Sequence, residues 1–398
     1  MNVLAVLPGL APTTIINIIT PLRALHQQSR INAIIRMEWE VTPQDVAWAD
    51  ILVLCRNSEP DYAPVYTLAH ELGIPSIYDL DDHVLAAPEG SETQRYFSKP
   101  SRRDYFIERI QSANLVRVHS PTLIEVVTPI NPHCHQVWSA VDWSLVPETL
   151  PTLPPSPIRI VYASQPETGW KLFPFIRDDL VRILDEFPDR VHLHLLGYNP
   201  PEMSGRRSVT FEPFEGDYAA YFTRFTRAGY AIGLAPMIDD LFHNAKTNIK
   251  FKDYAAAGAA GIYADTPLYN GNGVVDGETG LLVTGEAGSW YAAIRRLIEQ
   301  PDLIDHIRTR ARAYAEQRYT MDAVGAMWLR DLESMPSRPP LTEVQRQSTD
   351  ELRWWFTKAA ISESGIAALL RRIMKRLLSR RVKQAYYRFS HALLRLRR

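Results

Sequence analysis

Lys246, Lys250 and Asp253 stand four and three residues apart in the stretch HNAKTNIKFKDYAAAGAAGIYAD, residues 243–265. If a helix runs from Lys246 onward, positions 246, 250, 253 and 257 fall within roughly 60° of one another. Two cations on one helix face repel mildly unless an anion lies between them. A helix N-terminus adds free N–H groups and a partial positive charge, which suits phosphate. The preceding loop, PMIDDLFHNAKT, has no glycine run, so it is not a Walker-type cradle. Lysines would make up that deficit. The other reading leaves both lysines solvated and makes Asp253 a salt-bridge partner.

The elements that must hold these residues show an α/β grammar. NVLAVLPG, ADILVLCRN, IPSIYDLDD and LVRVHS read as strands, with helical spacing in TTIINIITPLRALHQQ, DYAPVYTLAHELG and RDYFIERIQSAN. PETLPTLPPSP (147–157) suits a semi-rigid linker. After it the alternation restarts with IRIVYASQ, VHLHLLG, VTFEPF, YAIGLAP and GIYAD. Two such units leave a cleft, and ligands of open α/β sheets bind at the carboxyl ends of the strands.

Bulk composition narrows the classes. A chain of 398 residues, 46% hydrophobic and 22% charged, exceeds one ordinary core and is globular in character. Two cysteines, Cys55 and Cys134, make no disulfide framework and favour a reducing compartment. The opening NVLAVLPG reads as a strand and not as a leader, and no run of 18 apolar residues exists. From Pro336 onward 15 basic residues face 4 acidic ones, while the preceding chain carries a net of −12. An acidic body with a basic tail is two objects.

The combination KxxxKxxDYAAAG…DGETGLLV resembles the donor-binding half of GT-B glycosyltransferases, in particular the family 4 (group 1) enzymes. Many of these carry a Lys/Glu-Tyr/Ala-x-Ala-x-Gly helix followed by a dGxtGLLV strand signature. Order and spacing match through about residue 330. A weaker likeness over YDLDDHVL, ANLVRVHSPTLIEV and QVWSAVDWS points to relatives that make surface polysaccharide. The resemblance implies an α/β fold of two Rossmann-like domains facing a central cleft. Residues 1–150 would form the acceptor side and 151–335 the nucleotide-sugar domain, with 336–398 a linker and basic amphipathic helical tail.

It also implies roles. Lys246, Thr247, Lys250 and Asp253 become the donor-binding set, with the lysines flanking a diphosphate and Asp253 accepting from ribose hydroxyls as the family's glutamate does. In relatives a polar loop after the first strand of the second domain carries a basic residue near the donor phosphates. SQPETGWK (164–171) places Lys171 there, although an exposed lysine in a first helical turn reads as well. Gly9, in the first loop, sits where relatives approach donor or acceptor, and a turn glycine explains it equally. Sugar transfer leaves an anionic diphosphate and an oxocarbenium-like sugar. Fixed cations where negative charge grows lower that barrier, and loss of one such group costs ~2.7–4 kcal/mol. No metal or organic cofactor is then required.

The chain also departs from the family. Relatives pair two glutamates with seven residues between them; here the positions are Ala245 and Asp253. Asp239, Asp240 or Asn244 could stand in, and Asp240 is taken as a catalytic candidate. DLDD (79–82) reads as a metal-binding Asp-x-Asp of the GT-A type, or as acids closing a strand on the acceptor side. In the second reading Asp82 takes a proton from the acceptor hydroxyl, with His83 an alternative and a turn cap equally compatible. HCH (133–135) lacks distant partners and reads as loop or core.

In the tail, Ile366, Leu369, Leu370, Ile373 and Leu377 keep a helical stripe amid Arg371, Arg372, Lys375 and Arg376. With RWWF at 353–356, residues 365–398 suit a helix lying on an anionic membrane; docking on a partner such as another polysaccharide-assembly enzyme is the alternative. No nucleic-acid motif accompanies the charge. The expectation is a cytoplasmic, peripherally membrane-associated enzyme of bacterial surface polysaccharide or lipopolysaccharide synthesis. It would transfer a sugar from a nucleotide diphosphate sugar to a glycan or lipid-linked glycan, with retention. The rival is a non-catalytic GT-B module that holds a glycan or a complex.

Overall fold

The apolar runs form strands because their β-branched and aliphatic residues can be buried on both faces of a sheet at once. In the computed structural model, which describes residues 1–340, they form two parallel sheets of six strands each. The first contains β1 (Asn2–Leu7), β2 (Asn32–Met37), β3 (Ile51–Cys55), β4 (Ser76–Leu80), β5 (Leu115–Val118) and β6 (Cys134–Gln136), in the order β2-β1-β3-β4-β5-β6. The second contains β7 (Ile158–Ala163), β8 (Val191–Gly197), β9 (Val209–Pro213), β10 (Ile232–Ala235), β11 (Ala260–Ala264) and β12 (Leu281–Val283), in the order β12-β11-β10-β7-β8-β9. Alternate residues of the strands feed cores on opposite faces: Leu52 and Leu54 of β3 join one cluster, Ile51 and Val53 the other.

Two strands were not anticipated. β2 pairs with β1 from Asn2↔Asn32 to Leu7↔Met37, but as an edge strand it is only half-buried and carries Asn32 and Arg36 in its run, so its apolar signal is diluted. β6 is a three-residue edge strand that takes in Cys134 and His135.

The proline-dense linker is strapped down. Arg308 and Arg312, from the helix Pro301–Arg318, donate to the carbonyls of Pro151 and Pro147 at 2.7 and 2.8 Å. Gly258 ends the helix Ile249–Ala257 in the left-handed region, φ 68°. A Cβ there would come within 2.6 Å of Leu150 in the linker.

The expected second-domain range, 151–335, ends in a helix that returns to the first sheet. In Met321–Glu333, Trp328 is fully buried against Val3, Ala5 and Leu7 of β1, and its indole donates to the Asn17 carbonyl at 3.1 Å. Arg117 of β5 anchors the return. Its Nε lies 3.3 Å from Asp79 of β4, its Nη1 pairs with Asp331, and its guanidinium rests 3.5 Å over Trp328. His119 reaches the same Asp79 at 2.9 Å, and His135 reaches Asp331 at 3.1 Å. Burial disfavours the Asp331 anion, but His135 and Arg117 outweigh it and hold its carboxyl below the usual range. Losing one partner from such a buried set strands a charge, which makes the set a clasp between a C-terminal helix and the first domain.

The basic tail expected at 336–398, including the membrane-facing residues 365–398, lies outside the described residues from 341 onward. Among the described residues, no helix is long and apolar enough to cross a membrane.

Candidate functional site

The candidate site lies where segments following the carboxyl ends of strands in both sheets meet, the place where open α/β sheets bind their ligands. On the first-domain side, β3 is followed by Arg56, whose φ of 52° is left-handed without being glycine. That conformation costs an L-residue ~1–2 kcal/mol. The bend is locked by Asn57, whose Oδ1 accepts from Cys55 N at 2.7 Å while its amide donates to Glu38 at 2.8 Å. The result aims the guanidinium at Asp81 and leaves it 3.8 Å from Asp82. Burial would push the Asp81 carboxyl up, but Arg56 outweighs it and holds it below its ordinary value.

The four residues DLDD therefore diverge. Asp79 turns into the core to Arg117 and His119, Asp81 to Arg56, and Asp82 to the cleft. The metal-binding reading of Asp-x-Asp is not assembled: Asp79 lies within β4 and is held by Arg117 and His119, whereas Asp81 lies past the strand end, where the regular alternation stops, and is held by Arg56. No group of three or more His, Cys, Asp or Glu among the described residues is arranged to hold a metal ion. His83, beside Asp82, is held below its usual pKa by burial, which the Asp82 charge only partly opposes.

On the second-domain side the expected helix is shorter at its start. It begins at Ile249, and Asn248 precedes it with φ −72° and ψ 46°, outside the helical region. The Asn248 side chain is drawn instead to the Asn272 carbonyl at 2.5 Å and to Tyr319 at 3.4 Å. Lys246 and Thr247 thus lie in the turn before the helix, and the single face expected for Lys246, Lys250 and Asp253 is split. Lys250 and Asp253 share it, 3.8 Å apart. Lys246 reaches across the cleft instead, with its Nζ 3.3 and 3.4 Å from the two oxygens of Asp82 and 4.0 Å from the Phe242 ring centre.

Position 245, where relatives carry a glutamate, is an alanine with no exposed surface that packs into the first-domain core. Its carbonyl accepts from Ser120 Oγ at 2.9 Å. Asp240 caps the short helix Leu241–Asn244, accepting from the His243 backbone N–H at 2.8 Å, with its carboxylate 2.7 Å from the His243 ring. Burial acts to raise its pKa, but these donors outweigh it and hold the carboxyl low.

Lys250 and Asp253 line a cavity with Ser164 and Gln165 after β7, Gly197 ending β8, and Phe214 and Glu215 after β9. Tyr218, Tyr221 and Arg224 of the helix Tyr218–Arg227 close one wall, and Ile16 of the first domain closes another. Ile16 belongs to a π-helical turn, Ile15–Ile19, a local widening that often marks functional positions. Gly197 is required there, because at φ 85° a Cβ would stand 2.2 Å from the Ser164 carbonyl oxygen.

Burial pushes the Asp253 carboxyl up, with Lys250 and Lys252 pulling the other way, and it pushes the Lys250 ammonium down against Asp253. Lys252 is pushed down to about 7 by burial, again against Asp253. Its Nζ has no hydrogen-bond partner and lies 4.9 Å from the Tyr319 ring centre.

Two further candidates stand apart from this group. Lys171, in the helix Pro166–Leu172, is exposed and lies 5.4 Å from the Trp170 ring centre, away from the residues that line the cavity. Gly9 faces open space, with nothing within 4 Å of the position a Cβ would take.

Arg56, Ser120, Lys252 and the aromatic wall were not singled out from sequence. Arg56 had one usable signal, a charged residue directly after a fully apolar strand in a parallel fold. The wall had none, because Tyr218 and Tyr221 read as an ordinary amphipathic face.

No protein-family model matches the chain, and no characterised protein matches it by sequence. Solved structures do. HepE of Anabaena, determined in complex with UDP, is 16% identical and superposes with a TM-score of 0.59 over 84% of this chain and 100% of that one. Sucrose-phosphate synthase of Thermosynechococcus elongatus is 14% identical, with a TM-score of 0.58 over 84% and 98%. The lipopolysaccharide outer core galactosyltransferase WaaB is 11% identical, with a TM-score of 0.55 over 84% and 99%. At such identities the likeness is one of fold, and the chain has the two-domain GT-B fold of these glycosyltransferases.

Proposed function

We propose that the protein is a glycosyltransferase that moves a sugar from a nucleotide diphosphate sugar to a glycan or lipid-linked glycan acceptor. One observation carries the reading: a half-buried Lys250 paired with a buried Asp253 lines an aromatic-walled cavity at the carboxyl ends of β7 and β8. A base can stack on such a wall, ribose hydroxyls can donate to Asp253, and a diphosphate can meet Lys250 and Lys246. Support comes from the shared fold and from HepE, solved with UDP and with UDP-glucose.

Within this reading Asp82 faces the acceptor side and Lys246, Lys250 and the helix N-terminus take charge from the leaving diphosphate. Lys171 would join only if the helix Pro166–Leu172 shifts toward the donor. Transfer with retention, independence of metal, and a place in surface polysaccharide or lipopolysaccharide assembly on the inner face of a membrane complete the proposal. Residues 365–398 would be the membrane contact.

One observation favours a second reading, a GT-B module that binds without turnover. The position of the usual glutamate is Ala245, and it is sealed in the first-domain core. Calorimetric titration with UDP, GDP, dTDP and CMP, followed by donor hydrolysis or transfer assays, separates the readings. Selective binding of one nucleotide with turnover supports the enzyme. Binding without turnover supports the module, and no binding by folded protein removes the donor site.

A further inference from the structure

One contact that joins the two halves of the cleft uses a cation that the donor reading assigns to the diphosphate. Lys246 sits 3.3 and 3.4 Å from both oxygens of Asp82, across domains. It is held there by its own segment, since Ala245 is packed in the first-domain core and its carbonyl is bonded to Ser120. Because Lys246 precedes the helix rather than lying on it, it can turn toward either side without unwinding a helical turn. Asp82 has a second cation available, Arg56 at 3.8 Å. Arg56 is fixed by the buried Asp81 and by a locked backbone bend, so it cannot follow a ligand.

We propose that Lys246 is an exchangeable latch. Without donor it neutralises Asp82 and ties the domains together; when a diphosphate arrives it transfers to the phosphates, while Arg56 remains as the standing counter-ion of Asp82. The exchange rests on the nucleotide-donor reading and adds two consequences to it. Asp82 competes with the donor for Lys246, and donor binding frees the acceptor-side carboxylate. Phosphate has the advantage in that competition because a diphosphate carries more charge than one carboxylate and offers more acceptor oxygens.

The test uses the full chain and calorimetry with whichever of UDP, GDP or dTDP the wild type binds. Asp82→Asn keeps shape and removes the competing charge, so it tightens the nucleotide by about fivefold, the scale of one partly exposed ion pair. Lys246→Ala weakens binding, and Asp82→Asn adds nothing on that background. An Asp82→Asn affinity equal to or weaker than wild type overturns the exchange, as does a gain that persists without Lys246. If the wild type binds none of the three, the donor reading fails and takes the exchange with it, a result distinct from a binding wild type with an indifferent Asp82→Asn. Thermal melts of each variant show that the fold is intact.

Discussion

Two of the groups of buried charge among the described residues are built differently. In the first domain, Arg117 commits two nitrogens to Asp79 and Asp331 and lays its plane on Trp328, while His119 and His135 take the remaining carboxylate oxygens. On the cleft side of the second domain, Lys250 meets Asp253 only at 3.8 Å, Lys252 has no hydrogen-bond partner, and Lys246 borrows an acid from the other domain. In the first group every oxygen of Asp79 and Asp331 is engaged, although Arg117 Nη2 and His119 Nδ1 have no partner, and the group joins a helix to a sheet. The second is short of anions and faces a cavity. Buried acids whose oxygens are all answered read as architecture, and buried cations left short of anions beside a cavity read as a site.

Breaking the first group gives the largest expected effect. Asp331→Ala leaves the buried Arg117 with Asp79 as its one remaining acid and lowers stability by ~3–5 kcal/mol, measured by urea unfolding; little change would mean that the network is not a clasp. In the second group, Lys250→Ala lowers kcat/KM for the donor identified by titration, at a cost of ~2.7–4 kcal/mol in transition-state stabilisation, with the fold intact. Steady-state kinetics beside a thermal melt check both halves. Loss of stability with normal turnover would place Lys250 with the architecture.

Lys252 sharpens the contrast through pH. Its folded pKa, near 7, lies below the unfolded lysine value, so the folded state is penalised at and below pH 7 and gains stability as pH rises from about 7 to about 10.4. Lys252→Met removes the penalty and stabilises by ~1–4 kcal/mol at neutral pH. That gain is largest at or below pH 7 and shrinks toward pH 10, so melting curves of both proteins across this range should converge. Curves that stay parallel would show that Lys252 is not buried as an uncompensated amine. The smallest effect belongs to the seam between the groups. Gly258→Ala forces a left-handed alanine against Leu150 of the linker and costs ~1–2 kcal/mol, read as a lowered melting temperature.

Much of this organisation was legible in residue order. The alternation of apolar runs with helical spacing, the proline-dense break at 147–157 and the DYAAAG…DGETGLLV pattern point to two parallel sheets and a donor-side helix, and both sheets are present. β2 was hidden because an edge strand carries a diluted apolar signal. The return of Met321–Glu333 to the first sheet was hidden because an amphipathic helix says that it has a buried face, not which surface it covers.

At the site, sequence determined which residue types were available: a lysine three positions before an acid and another four before that, acids at a strand end, small residues on a helix that must lie close to its sheet. Local spacing determines only what a continuous helix would bring together. Tertiary structure decided that the helix starts at Ile249, because Asn248 finds better partners in Asn272 and Tyr319 than in the backbone it precedes. It also decided that Lys246 answers Asp82, 164 residues away, and that Asp79 goes to Arg117 while Asp81 and Asp82 share Arg56. Which charge finds which partner depends on distance through space and on loss of water, and neither is a property of the residues' order.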